Sequence, residues 1–98
     1  MKLCEYLDEQ LKKRFQSIVK IEENVEGCDS FWEKVYEING LTVFISAEYA
    51  VLSFYVYKKI DDENKFICTN IDLFADSVKA EKSNIDKMLN YLEIILNP

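Results

Sequence analysis

The chain has no histidine, a single proline at its last position, and only two glycines in 98 residues. Without histidine, the commonest general base and the commonest metal ligand are both missing. Gly27 and Gly40 stand too far apart to build the glycine-rich loop that cradles a phosphate. The three cysteines, Cys4, Cys28 and Cys68, are odd in number and show no Cys-x-x-Cys spacing, so neither a zinc site nor a disulfide framework is expected. No apolar run approaches the roughly 18 residues of a membrane span. Acids at Glu5, Asp8 and Glu9 break up any leader-like apolar stretch. These absences predict free thiols in a reducing cytoplasm, with no metal, no cofactor and no membrane partner. Positive charge is also scarce: 12 basic residues face 18 acidic ones, a net charge of −6. That balance argues against direct nucleic-acid binding, which relies on cations to neutralise phosphates.

What is present is the composition of a globular chain, with 49% hydrophobic and 31% charged residues. Residues 1–98, at 11.5 kDa, are expected to form one domain with one two-layer core. Leu3, Leu7, Leu11, Phe15 and Ile18 recur every three or four residues and predict a helix from about Lys2 to Ser17. Acids in its first turns and Lys12, Lys13 and Arg14 in its later ones follow the helix macrodipole, which explains the basic trio without a nucleic-acid patch. Val19, Ile21 and Val25 share one parity and allow a short edge strand, blunted by Glu22, Glu23, Glu26 and Asp29. Gly27 reads as a turn.

Asn39-Gly40, set between two β-rich runs, is the clearest local signal, because both central residues of such a turn need positive φ. A two-residue loop fixes the register, pairing Ile38 with Leu41, Tyr36 with Val43, and Val35 with Phe44. Alternation then sends Trp32, Tyr36, Ile38, Leu41, Val43 and Ile45 to the core. Glu33, Val35, Glu37, Thr42, Phe44 and Ser46 go to the other face. Ala50 to Lys58 reads as a third strand, Asp61-Asp62-Glu63-Asn64 as a polar turn, and Lys65 to Asn70 as a fourth strand that carries Cys68 into the core. Ile71, Leu73, Phe74 and Val78 read as a loop with one helical turn. Ser83 with Asp86 resembles a capping box. Ile85, Met88, Leu89, Leu92, Ile95 and Leu96 then keep helical spacing. The expected class is α+β: a small antiparallel meander of three to five strands flanked by an N-terminal and a C-terminal helix.

No catalytic constellation accompanies this layout, and the chain is expected not to be an enzyme. Asp61, Asp62 and Glu63 lack the spacing of a calcium loop and read first as a solvated turn. An enzyme working through carboxylates alone needs two of them at one cleft, and nothing in the sequence places them so. The feature with chemical content is the outer sheet face. Val35, Phe44, Tyr55 and Tyr57 should be neighbours there, flanked by Glu33 and Glu37, with Asp61, Asp62 and Glu63 at the next hairpin tip. If a helix covers this face, these residues form a second core layer. If both helices pack on the opposite face, they form an aromatic, acid-rimmed surface suited to a protein with a basic surface. By analogy of size and charge, this predicts a non-enzymatic inhibitor of a basic nucleic-acid-handling protein, as anti-CRISPR and nuclease-immunity proteins are. The alternative is a small adaptor or secretion-type chaperone that captures a partner segment, as a homodimer. The Lys, Ile, Glu and Asn richness resembles that of AT-rich bacterial or phage genomes.

Overall fold

The computed structural model describes residues 2–28, 30–74 and 76–96. Its elements run α1 (Leu3–Arg14), β1 (Ile18–Cys28), β2 (Phe31–Ile38), β3 (Leu41–Glu48), β4 (Val51–Ile60), β5 (Glu63–Thr69), a short 3-10 helix (Asn70–Asp72), β6 (Val78–Lys79) and α2 (Lys82–Leu96). The strands form an antiparallel meander in the order β1-β2-β3-β4-β5, with β6 also paired to β4. The fold is α+β, as the periodicities predict.

α1 ends earlier than its apolar stripe. Phe15 turns extended at φ −127° while its N–H still donates to the Leu11 carbonyl. The stripe's last member, Ile18, opens β1 instead. β1 is a full edge strand of 11 residues with two register shifts, one between Lys20 and Glu22 and one between Val25 and Cys28. Gly27 therefore lies inside the strand at an irregularity rather than in a turn. Asp29 and the Cys28 side chain fall outside the described residues.

The β2–β3 register is the one the Asn-Gly loop dictates, from Ile38 opposite Leu41 through Glu33 opposite Ser46. Asn39 (φ 51°) and Gly40 (φ 80°) take the left-handed conformation that such a turn requires. The Asn39 side chain also donates to the Leu96 carbonyl at 2.9 Å, tying this turn to the end of α2. Two more turns of the same kind occur at Tyr49-Ala50 and Asp61-Asp62, all four residues having positive φ. The polar turn is thus two residues long, and Glu63 and Asn64 belong to β5.

The core lies between the sheet and both helices. Trp32, Tyr36, Ile38, Val43, Ile45, Leu52, Phe54, Val56 and Cys68 meet Leu7 and Leu11 of α1 and Ile85, Met88, Leu89, Leu92 and Leu96 of α2 in one buried cluster. Leu41 is only half-buried at its rim. The two helices also bond each other: the Tyr6 hydroxyl donates to Asp86 Oδ1 at 2.6 Å, and Arg14 donates to Asn90 Oδ1 at 2.6 Å. Asp86 is therefore engaged with α1, and Ser83 sits inside the first turn of α2 with its hydroxyl turned to Glu81. The predicted capping box does not form there. An analogous bond appears at the 3-10 helix, where the Thr69 N–H donates to Asp72 Oδ2 at 2.8 Å.

Candidate functional site

Because α1 and α2 bury their apolar stripes on the same side, no described element covers the other face of the sheet. The residues meeting there follow from the register. One row across the sheet runs Val19, Glu37, Thr42, Tyr57 and Phe66. The next runs Glu22, Val35, Phe44, Tyr55 and Thr69. A third runs Asn24, Glu33, Ser46 and Ser53. In these three rows the carboxylates stand over β1 and β2 and the rings over β3 to β5, and a fourth row runs Phe31, Glu48, Val51 and Lys79.

Phe44 and Tyr55 have ring centroids 5.9 Å apart. Together with Tyr57, Asn64 and Phe66 they line a shallow apolar hollow. Tyr55 is 45% exposed and Phe66 58%, so this is a surface rather than a second core layer. At the opposite end of the same face, a second hollow is lined by residues including Asn24, Glu26, Phe31, Glu33, Ser46 and Glu48. The Phe31 ring lies 4.8 Å from that of Tyr49, edge to face.

Six of the residues singled out from sequence, Glu33, Val35, Glu37, Phe44, Tyr55 and Tyr57, share this face. Asp61, Asp62 and Glu63 do not join them. The β4–β5 hairpin continues past the last β3–β4 pair, Thr42 with Tyr57, and carries these acids out beyond the sheet. Glu63 pairs with Ile60 and shares its parity, which is that of the helix-side residues. Asp62 also lies 3.9 Å from the Lys59 ammonium. Phe66, absent from the sequence-based patch, joins it because it pairs with Tyr57. A bulge at Ile67 sets that register, and no residue type announces it.

The helix side holds a second polar cluster. Lys34 is 1% exposed, and its ammonium donates to the Cys4 carbonyl at 2.9 Å and to Asp8 Oδ2, and pairs with Glu23 Oε1 at 3.0 Å. The Tyr36 hydroxyl donates to Asp8 Oδ1. Lys20 closes the cluster from β1, at 3.1 Å from Asp8 and 3.2 Å from Glu23. Burial alone pushes the Asp8 carboxyl up, but hydrogen bonds from Lys34, Tyr36 and Lys20 outweigh it and hold it below the usual aspartate range. Hydrogen bonds from Lys34 and Lys20 likewise lower Glu23. Burial and the bond to Asp8 push the Tyr36 phenol far above its ordinary value.

With three donors and three acceptors matched, Lys34 is a satisfied buried ion that pins α1 to the sheet. Strict alternation marks its position, since Lys34 lies between Trp32 and Tyr36 on the core face. Cys68, buried beneath the sheet, has its thiol pushed up to about 11, chiefly by burial and then by Asp72, which makes it a poor nucleophile. Among the described residues, no three of His, Cys, Asp and Glu converge as metal ligands.

Ion pairing differs between the two faces. The carboxylates of Asp8, Glu9, Glu23, Asp86 and Glu93 all stand within 4.0 Å of a lysine or arginine nitrogen. On the outer face Glu22, Glu33, Glu37 and Glu48 form no ion pair with a described residue. No described helix is long and apolar enough to cross a membrane. Comparison with protein-family models, with curated proteins and with solved structures found no match to this chain.

Proposed function

We propose that the protein is a non-enzymatic binding module whose uncovered sheet face docks a basic surface of another protein and thereby blocks it. One observation carries this reading. The outer face combines exposed rings with Glu22, Glu33, Glu37 and Glu48, which form no ion pair with a described residue, while Asp8 and Glu23 on the helix side are each paired with Lys20 and Lys34. Unpaired rim charges raise encounter rates with an oppositely charged partner, and stiff amphipathic rings supply contact area once water is excluded. A basic partner is most simply one that handles nucleic acid, and carboxylates occupying its groove would stand in for phosphates.

The test is affinity capture from the source cell with the wild-type chain, with Glu33→Lys/Glu37→Lys, and with Tyr55→Ala/Tyr57→Ala. The expected result is a single basic protein retained by the wild type, depleted by both double variants, and inhibited when the wild type is added to its own assay. Retention of the same protein by all three chains would remove this face as the binding surface.

A further inference from the structure

Resting on the reading of this face as a docking surface, we infer that it selects arginine over lysine. The element it takes is a pair of guanidinium groups about 13 Å apart, the separation of Glu33 and Glu37 along an extended strand. Charge complementarity supplies the sign, and the arrangement of rings supplies the chemistry.

At one end, the hollow bounded by Glu26, Glu33, Glu48 and Phe31 has a volume of about 190 Å³. Its carboxylates are not gathered tightly enough for a metal ion, but they border a space that fits a planar organic cation. At the other end, Thr42 separates Glu37 from Tyr57 on adjacent strands, so carboxylate and ring are rooted about 10 Å apart with a small residue between them. A side chain lying across Thr42 meets a ring to stack on and a carboxylate to bond. Guanidinium suits both places because it is planar, weakly hydrated and forked, so it can stack on a ring and still bond a carboxylate. An ammonium is a compact, strongly hydrated charge and gains less from the rings.

The probe is a nine-residue Gly/Ser/Thr peptide with arginine at positions 3 and 7, titrated into the full ¹⁵N-labelled chain and followed by amide shifts. Two controls accompany it: the same peptide with lysines, and one with arginines at positions 3 and 5. The expected result is perturbation of Glu33, Glu37, Ser46 and Tyr57, with the first peptide binding about tenfold more tightly than the lysine version. Closing the spacing should weaken it, and Tyr57→Ala should erase most of the preference for arginine. Equal affinity for arginine and lysine would overturn the inference and leave the basic-partner reading standing. Perturbations confined to other faces, or none, would also overturn it, while the partner's response to Glu33→Lys/Glu37→Lys judges the underlying reading separately. Concentration-dependent shifts on this face without peptide would show a second copy to be its occupant and would overturn both.

Discussion

Lys34 shows how strongly one side chain depends on its surroundings here. Taking an ammonium out of water costs several kcal/mol unless partners replace the lost hydration, and Asp8, Glu23 and the Cys4 carbonyl do so. Removing Asp8 leaves that charge short of an acceptor and the Tyr36 hydroxyl without its bond. Asp8→Ala should therefore destabilise the chain by about 3 kcal/mol in denaturant unfolding. Lys34→Met removes the charge itself and should cost less than Asp8→Ala, because Asp8 keeps Lys20 and Tyr36. The same cluster sets the pH response. Asp8 and Glu23 are lowered on folding, so the unfolded chain takes up protons first. Their stabilisation is complete above the ordinary carboxylate range and is lost as pH falls below about 4. Tyr36 is raised, so its contribution holds below about pH 10 and is lost as pH rises further. Melting temperature measured from pH 2 to 11 should fall at both ends, and Asp8→Ala should flatten the acid limb.

Among the elements, those built on a single strong pattern were readable in advance, while those set by tertiary context were not. α2 follows its apolar spacing, and Leu92 is fully buried against the sheet. Leu92→Ala should cost roughly 2–4 kcal/mol, whereas a loss below about 1 kcal/mol would place that stripe at solvent. The Asn39-Gly40 hairpin was legible because its residues tolerate the backbone that the turn demands. Tyr49-Ala50 was not, because neither residue favours positive φ. That turn is held instead by the Ala50 N–H bonded to the Ser30 carbonyl, the Ala80 N–H bonded to the Ala50 carbonyl, and the Phe31–Tyr49 ring contact. Ala50→Gly relieves the left-handed strain while also enlarging the entropy of the unfolded chain. With strain of about 1 kcal/mol or more per such residue, a net gain in stability of about 0.5 kcal/mol is expected from thermal melts. β1 proved longer than its short apolar parity because the bulges let it follow β2 despite an irregular pattern. Such bulges leave little trace in residue type.

For the whole molecule, the side on which the helices pack decides what the sheet can do. Parity alone divided the residues between two faces, and it placed Glu33, Val35, Glu37, Phe44, Tyr55 and Tyr57 together. It did not say which face a helix would cover, because that depends on where the connections at Phe15 and between β6 and α2 lead the chain. Nor did it show that Lys20 and Lys34 would be spent on the helix side, since they meet Asp8 only through the fold. The consequence is a face carrying rings and unneutralised carboxylates, and the central claim is that this face captures a basic partner. The direct measurement is the association rate constant with the captured partner as salt is raised, for the wild type and for Glu33→Lys/Glu37→Lys. At physiological ionic strength exposed charges are screened beyond about 8 Å. Wild-type association should therefore slow steeply with salt, and the variant should be slow and nearly salt-independent, with dissociation changed far less. Association rates that are equal for the two chains and unchanged by salt would contradict the claim.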